Sequence, residues 1–289
     1  MSRLPPALQG AVYMMLAAVS WTVMLLLVRA LGNSYSTFEI LFVRNLVSVA
    51  FIVPLLVGNR GAVFRTRRMP LHCTRVAFAY IGILGLFYGL IHIPVADVVA
   101  LSFTQPLFIA VLAALLLGEA VGIPRWRAVA IGFAGVLVIL RPGFAEIGIA
   151  TLAVLASAAA YGVSNICIKR LMTTDTPVQS TLYGNLLMLP LSALPAAFVW
   201  VTPGLWDALA MIGVGLGGMG GIYFVSRAYA AADASAVVPY DFLRLPLSAG
   251  AAFLLFGETS DIWMLLGAAI IFASSYALVR IETRDAKRG

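Results

Sequence analysis

The sequence contains little charge for its length. Of its 289 residues, 11% are Asp, Glu, Lys or Arg and 62% are hydrophobic, whereas a soluble domain usually carries about 25% charged residues. Apolar runs of about 20 residues recur almost end to end, and the links between them are too short to form a separate domain. The composition therefore predicts a single polytopic membrane protein built from helices.

Residue types that mark enzymes and metal sites are also scarce. The chain has two cysteines and two histidines, without the spacing of a zinc site or a disulfide framework. It contains no P-loop, H-E-x-x-H or G-x-S-x-G motif. We therefore expect no enzyme activity, no cofactor, no metal and no direct coupling to ATP. The net charge of +7 has an ordinary cause in membrane topology, so the expected partners are the lipid bilayer and a small-molecule substrate rather than nucleic acid.

Apolar length, interrupted by Gly, Pro and charge, predicts ten membrane-spanning helices. They are expected at residues 8–31, 37–57, 71–91, 95–117, 125–141, 147–168, 179–200, 206–228, 236–256 and 262–281. With the N-terminus in the cytoplasm, fifteen of the 19 Lys and Arg residues fall on the inner side; Arg29 and Arg141 lie outside, and Arg44 and Arg244 lie within spans. This bias predicts a multi-pass protein of the bacterial inner membrane with both termini cytoplasmic.

The two halves of the chain resemble each other at an offset near 140 residues. Trp21 corresponds to Tyr161, and the Gly118-Glu119 pair that ends span four corresponds to Gly257-Glu258 at the end of span nine. Because each unit has an odd number of spans, its duplicate must lie upside down in the membrane. Such inverted repeats suit alternating access, in which exchanging the conformations of the two halves moves the opening of a central cavity from one side to the other.

On these duplicated motifs, the sequence resembles the drug/metabolite transporter superfamily and, within it, the EamA-type transporters. The resemblance is carried by Trp21 to Arg29 and Ala96 to Pro106 in the first half and by their counterparts in the second, Tyr161 to Lys169 and Ala236 to Pro246. It covers essentially the whole chain. It implies an all-α membrane domain of ten transmembrane helices, arranged as two inverted five-helix repeats around a central cavity, with residues 1–143 and 144–289 as the repeats. The aromatic and His content is similar to the branch that exports aromatic and other neutral amino acids.

Span nine places an acid, a base and two prolines inside an apolar segment, Val238 to Pro246. A charge at the middle of a spanning helix costs about 2.5–3.5 kcal/mol on insertion scales, so Asp241 and Arg244 must be paired, hydrated or used. Tyr240 can share one helical side with them, and the prolines are expected to bend or open the helix. The two charges can bind a zwitterion, or they can pair with each other and lock span nine to a neighbour.

Other polar and aromatic side chains are further candidates for contact with a substrate. Span four carries its candidates at the repeat position of Asp241 and Arg244, and spans one, three, six and eight supply aromatic rings. Aromatic belts and hydrogen bonds between helices would explain many of these residues equally well. The set is Trp21, Tyr80, Tyr88, His92, Ser102, Gln105, Tyr161, Asn165 and Tyr223.

Two of the individual side chains leave alternatives open. His92 could titrate and couple protons to transport, or it could act as a hydrogen-bonding gate residue. Arg44 could extend to the outer interface by snorkelling, or it could pair with a carbonyl at the rim of the cavity.

Together these features predict a secondary transporter that exports amino acids, aromatic and other neutral ones first, or similar small metabolites, by alternating access. Proton antiport and gradient-driven facilitated export are both compatible with the sequence, as is any oligomeric state. A broad efflux transporter of cationic or aromatic drugs is the alternative within transport, with Asp241 as counter-ion, although Arg244 beside that acid disfavours it. A membrane protein that mediates interaction without transport is the alternative of another class.

Overall fold

The computed structural model of the protein describes residues 5–57, 66–117, 122–141, 148–232 and 234–286. All regular secondary structure in these ranges is α-helical. The helices are α1 (Pro6–Leu31), α2 (Thr37–Val57), α3 (Met69–His92), α4 (Val95–Ser102), α5 (Gln105–Leu117), α6 (Ile123–Leu140), α7 (Ile149–Leu171), α8 (Pro177–Val199), α9 (Leu205–Ala231), α10 (Ala234–Asp241), α11 (Arg244–Phe256) and α12 (Ile262–Ala286).

These helices correspond to the ten predicted spans. Span four consists of α4 and α5, and span nine of α10 and α11. Within the described residues, eight segments are long and apolar enough to cross a membrane, and α2 and the pair of α10 and α11 occupy the other two places. The protein is thus an all-α polytopic membrane protein with two inverted repeats, α1–α6 and α7–α12. The predicted boundary between residues 143 and 144 lies outside the described residues.

Spans four and nine are each interrupted near the middle. Pro106 and Pro246 follow the breaks closely, and neither has a backbone N–H to continue the helical ladder. In span four the chain turns at Phe103, whose carbonyl oxygen accepts a hydrogen bond from the Ser275 hydroxyl of α12 at 2.9 Å. The opening predicted for span nine is confirmed, and span four has an equivalent break that the sequence analysis did not predict.

The most extensive helix packing joins the two repeats to each other. Helix α1 packs against α9 and α3 packs against α7, while α2 packs against α8 and α6 against α12. The first helix of each repeat therefore lies beside the third span of the other repeat. The largest hydrophobic cluster also draws its side chains from both halves of the chain, so the two repeats share a core.

Glycines allow the closest of these contacts. Gly217 of α9 is buried, and a Cβ at that position would lie 2.9 Å from the carbonyl oxygen of Ser20 in α1. In the other pair, a Cβ on Gly85 of α3 would lie 2.5 Å from the carbonyl oxygen of Ala153 in α7. Small residues at membrane helix interfaces let backbones approach in this way. The glycine-rich stretch of α9 therefore serves close packing against α1.

Two polar contacts tie the repeats together at opposite faces of the membrane: the N-terminal face, where α1 begins, and the far face, where α1 ends. At the far face the Tyr35 hydroxyl, in the turn after α1, donates to Asp207 Oδ2 at 2.8 Å. At the N-terminal face Asp175, in the turn after α7, lies 2.7 Å from His72 Nε2 and accepts from the Thr66 hydroxyl at 2.7 Å. Both contacts join a turn of one repeat to the other repeat's third span.

Candidate substrate-binding site

The two helix breaks meet in the interior of the molecule. The Phe103 and Phe242 rings, one from each break, have centroids 4.7 Å apart. Helices α4 and α5 begin and end 139 residues before α10 and α11, so Ser102 is equivalent to Asp241 and Gln105 to Arg244. These equivalences agree with those predicted from the sequence. The seam between the two breaks is where polar side chains of both repeats converge.

Arg244, the first residue of α11, is held between two aromatic rings, one from α1 and one from the break in span four. Its Cζ lies 5.0 Å from the centroid of the Trp21 ring and 4.8 Å from that of the Phe103 ring. The guanidinium is planar and weakly hydrated, so aromatic faces are favourable neighbours for it. The Arg244 side chain is 18% exposed, so it is not sealed into the core. We call these three side chains the Arg244 clamp.

Asp241 and Arg244 form only a loose ion pair. Asp241 Oδ2 lies 3.7 Å from Arg244 Nη2, which is longer than a hydrogen bond. Among the described residues, Asp241 Oδ1 and Arg244 Nε are buried and have no hydrogen-bond partner. Unpaired buried polar atoms are costly. The pair consequently keeps both an acceptor and a donor available at the seam.

Trp21 and Tyr161, the predicted repeat equivalents, both lie against glycines of the opposite repeat. A Cβ on Gly82 of α3 would meet the Tyr161 ring at 3.0 Å, and the absence of a side chain at Gly221 of α9 leaves room for the Trp21 ring. Both rings pack against the largest hydrophobic cluster, as does the ring of Tyr80. The Tyr80 hydroxyl is buried without a partner among the described residues.

The remaining polar candidates near the breaks are partly buried or exposed. The Ser102 hydroxyl donates to the carbonyl oxygen of Val99 at 2.7 Å, which satisfies it within its own helix. Gln105 and Asn165 are partly buried, whereas the Tyr240 side chain is 38% exposed. A position near the break therefore does not by itself make a side chain available to a solute.

Three aromatic candidates lie apart from the Arg244 clamp. The His92 ring stacks on Tyr88 with centroids 4.0 Å apart, and its Nδ1 lies 2.8 Å from the Tyr88 carbonyl oxygen. Tyr223 is 58% exposed and makes an edge contact with Phe224. No ring contact or hydrogen bond of the described residues joins these three candidates to Arg244. Their predicted role in substrate binding gains no support from the geometry.

The sequence analysis missed the phenylalanines at the breaks. Phe103 stacks on Arg244, and Phe242 makes an edge contact with Phe272 of α12 at 4.0 Å between centroids. The chain contains 16 phenylalanines, so one more Phe in an apolar span carries no signal by itself. The available signal was the equivalence of the two positions, each of which closely precedes a proline.

The second copy of the duplicated Gly-Glu motif links three helices at the far face. Glu258 Oε1 accepts from Arg29 Nε at 2.7 Å, and its Oε2 accepts from the backbone N–H of Val95 at 2.8 Å. Gly257 has a φ of 67°, which glycine adopts without steric cost. Glu258 thus connects α11 to α1 and to the start of α4. The first copy, Gly118-Glu119, lies outside the described residues.

Inverted repeats, broken helices that meet in the interior and ionisable side chains at the breaks are together typical of a membrane transporter. The chain belongs to the EamA-like transporter family, whose model matches residues 8–141 and 148–280. The two matches correspond to the two repeats, and the family predicted from the duplicated motifs is confirmed.

Several relatives match nearly the whole chain, and their names specify solutes other than amino acids. The chain is 34% identical to a riboflavin transporter of Rhizobium johnstonii, over 98% of this chain and 94% of the relative. It is 31% identical to a riboflavin transporter of Vibrio cholerae, over 97% and 96%. It is 26% identical to an S-adenosylmethionine uptake transporter of Rickettsia prowazekii, over 96% and 95%. These relatives do not support the amino-acid exporter branch that the resemblance suggested.

A solved crystal structure is also similar to this fold. It aligns with a TM-score of 0.64 at 18% sequence identity, covering 95% of this chain and 98% of the other. At that identity the likeness supports the fold and carries no information about the solute.

Proposed function

We propose that the protein transports riboflavin, or a closely related heteroaromatic metabolite, across the bacterial inner membrane by alternating access. Similarity to two riboflavin transporters over nearly the full chain supports this choice of solute. The structural observation that carries it is the Arg244 clamp, in which a flat cation lies between two aromatic rings at 5.0 and 4.8 Å. A seam that holds the planar guanidinium between two rings is also suited to hold a flat heteroaromatic ring.

The chemistry of riboflavin matches the groups at the seam. Its tricyclic ring can stack against the Trp21 and Phe103 faces, and its ring carbonyl oxygens can accept from Arg244. The Asp241 carboxylate can accept from the ring imide N–H or from the hydroxyls of the ribityl chain. S-adenosylmethionine, the solute named for other relatives, also has a flat heteroaromatic ring, together with a carboxylate that could accept from an arginine.

A neutral amino acid is the second candidate, and the loose Asp241 and Arg244 pair is the observation that favours it. With Oδ1 of the acid and Nε of the base unpaired, the carboxylate could receive the ammonium of a zwitterion and the guanidinium its carboxylate. An aromatic side chain would then lie on the Trp21 ring. Export of such amino acids is the function that the sequence analysis predicted.

The orientation proposed from the charge bias makes the N-terminal face cytoplasmic and the far face external. In this orientation the Glu258 contacts with Arg29 and Val95 lie at the external side, and those of Asp175 with His72 lie at the cytoplasmic side. The direction of net transport follows the solute gradient and any coupled ion. Proton coupling is tested by imposing a pH gradient on the same vesicles.

Flux into liposomes distinguishes the candidate solutes. Purified protein would be reconstituted, and uptake of labelled riboflavin measured with and without an excess of unlabelled riboflavin, phenylalanine or S-adenosylmethionine. We expect saturable riboflavin flux that excess phenylalanine does not inhibit. Flux of phenylalanine without flux of riboflavin would refute the riboflavin proposal and favour the amino-acid one. Circular dichroism of the reconstituted protein provides the folding control.

A further inference from the structure

Arg44 lies inside α2, and the site described above gives it no role. Among the described residues its side chain makes one hydrogen bond, from Nη1 to Asn45 Oδ1 at 3.4 Å, and its Nε is buried without a partner. Asn45 in turn donates to the Ser192 hydroxyl of α8 at 3.1 Å. The guanidinium therefore carries a full charge while most of its hydrogen-bonding capacity is unused.

No carboxylate of the described residues forms an ion pair with Arg44. Glu39 is the nearest acid in the sequence, and both of its oxygens are occupied. Oε1 accepts from the backbone N–H of Val201 at 2.6 Å, and Oε2 from that of Ser36 at 3.0 Å. A charge without a counter-ion in an apolar interior costs several kcal/mol. A negative or acceptor group beside Arg44 would offset that cost.

The Arg44 guanidinium packs against the same helix, α9, as the Trp21 ring of the Arg244 clamp. A Cβ on Gly218 of α9 would lie 3.3 Å from Arg44 Nε, so the side chain points into the protein and does not snorkel to the interface. Trp21 packs at Gly221, three residues further along α9. Residues three apart are neighbours on one helix face, roughly 5 Å apart. Arg44 thus lies about one turn of α9 from the ring that stacks on Arg244.

Arg44 and Arg244 can be compared through Tyr161 and Trp21, the equivalent aromatic residues of the two repeats. The Arg44 guanidinium and the Tyr161 hydroxyl are close enough to interact electrostatically. Trp21 therefore stacks on an arginine, and its repeat equivalent Tyr161 lies within electrostatic range of one. Arg244 comes from the second repeat and Arg44 from the first.

The balance of charge at this seam is positive. Asp241 offsets Arg244, whereas Arg44 has no counter-ion, so these three side chains sum to one positive charge. Buried atoms without partners there include the Nε donors of both arginines and the acceptor Asp241 Oδ1. A solute that brings acceptor atoms or negative charge would satisfy these donors, and a cation would add to the imbalance.

We propose that Arg44 is a second anchor of the transport site and makes that site select solutes with an anionic or acceptor-rich group on a flat ring. The inference rests on the proposed transport function, but it does not require riboflavin to be the solute. The group that meets Arg44 is a carboxylate or a pair of neighbouring carbonyl oxygens. The same charge balance disfavours cationic aromatic drugs, the alternative solutes considered from the sequence.

Two probes with the same ring and opposite charge test this selectivity. The melting temperature of the purified protein would be measured against increasing 2-naphthoate and, separately, 2-naphthylmethylammonium, since a ligand of the folded state raises apparent stability. We expect saturable stabilisation by the carboxylate and none by the ammonium. Arg44→Gln is expected to weaken the carboxylate affinity by about tenfold or more, and Arg44→Lys, which keeps the charge, to retain the preference for the carboxylate.

Arg227→Gln is the matched control, because Arg227 is exposed near the other end of α9 and its removal changes the net charge equally. Its probe affinities should equal those of the wild type. Equal stabilisation by both probes, or an undiminished carboxylate preference in Arg44→Gln, would overturn the proposal. If Arg44→Gln does not fold, Arg44→Met is the second uncharged variant, and an undiminished carboxylate preference in it would overturn the proposal as well. If the wild-type protein prefers the carboxylate probe but does not transport riboflavin, only the riboflavin proposal is refuted.

Discussion

At the break in its fourth span the first repeat presents Ser102 and Gln105, whereas the second repeat presents Asp241 and Arg244 at the equivalent positions. The backbones around the two breaks are alike, since the helix before each has 8 residues and the helix after each has 13. The duplicated backbone supplies two facing breaks, and substitution at a few positions makes one of them charged. The seam therefore has a neutral side and a charged side.

The contacts at the membrane faces differ between the repeats in a similar way. Tyr35 and Asp175 stand 140 residues apart in equivalent turns. Tyr35 donates to an acid of the other repeat, Asp207, while Asp175 accepts from His72. The position of the contact is kept although the donor and the acceptor have changed places.

Truncation at the charged break should have the largest effect. Arg244→Ala removes the ring-stacked guanidinium and leaves Asp241 without its partner, and breaking a buried charge pair costs about 3–5 kcal/mol. We expect riboflavin flux to fall by about 100-fold, whereas Gln105→Ala at the neutral break should lower it less than about threefold. Flux per folded protein in liposomes is the measurement. Equal losses in the two variants would show that the charged side has no special role.

Filling the glycine contacts should have the next largest effect. A Cβ on Gly221 would collide with the Trp21 ring, whereas one on Gly82 would crowd the Tyr161 ring less severely, at 3.0 Å. Overpacking costs about 1–3 kcal/mol, so Gly221→Ala should melt at a lower temperature than Gly82→Ala. Gly250→Ala, with open space around it, is the control and should not destabilise. A lower melting temperature for Gly82→Ala than for Gly221→Ala would contradict the difference between the two contacts.

Making the charged break resemble the neutral one should have a smaller effect on stability. Arg244→Gln alone leaves the Asp241 carboxylate unpaired, whereas the double variant Asp241→Ser with Arg244→Gln removes both charges. We expect the double variant to be more stable than Arg244→Gln alone by about 1 kcal/mol, and to be equally defective in flux. A double-mutant cycle from thermal melts gives the coupling. Strictly additive effects would mean that the pair does not interact at its 3.7 Å separation.

Loss of the two contacts at the membrane faces should have the smallest effects on stability. These effects should appear at opposite ends of the pH scale. Burial would raise the pKa of the Asp175 carboxyl, but hydrogen bonds from Thr66 and His72 outweigh it and the pKa is lowered. Its contribution to stability is present above an unfolded value of about 3.9 and is lost as pH falls through the folded pKa. The hydrogen bond to Asp207 raises the pKa of Tyr35, so its contribution is present below about pH 10 and is lost as pH rises through the folded value.

Melting curves between pH 3 and 11 would separate these two contacts. Asp175→Asn should remove part of the acid-limb loss without changing the alkaline limb, and Tyr35→Phe should do the converse. If Asp175→Asn kept the full acid-limb loss, other carboxylates would account for it.

The sequence predicted the spans well because their signal is local. Apolar length placed α1, α2 and α12 within a few residues of their observed starts, and the prolines of span nine predicted its opening. The site was predicted in part. Trp21, Asp241 and Arg244 lie together, whereas Tyr88, His92 and Tyr223 do not join them. In a membrane span both faces are apolar, so the amphipathic pattern that marks an inward face in a soluble helix is weak.

The sequence by itself determined that the chain spans a membrane, that its two halves are inverted copies and that charges lie inside span nine. Each of these follows from composition, from counting spans or from comparing positions along the chain. Only the tertiary structure decided that α1 pairs with α9, that Phe103 and Trp21 enclose Arg244 and that Arg44 points inward without an acid. Those contacts join side chains far apart in the chain, and they form only where glycines let helices of opposite repeats pack closely.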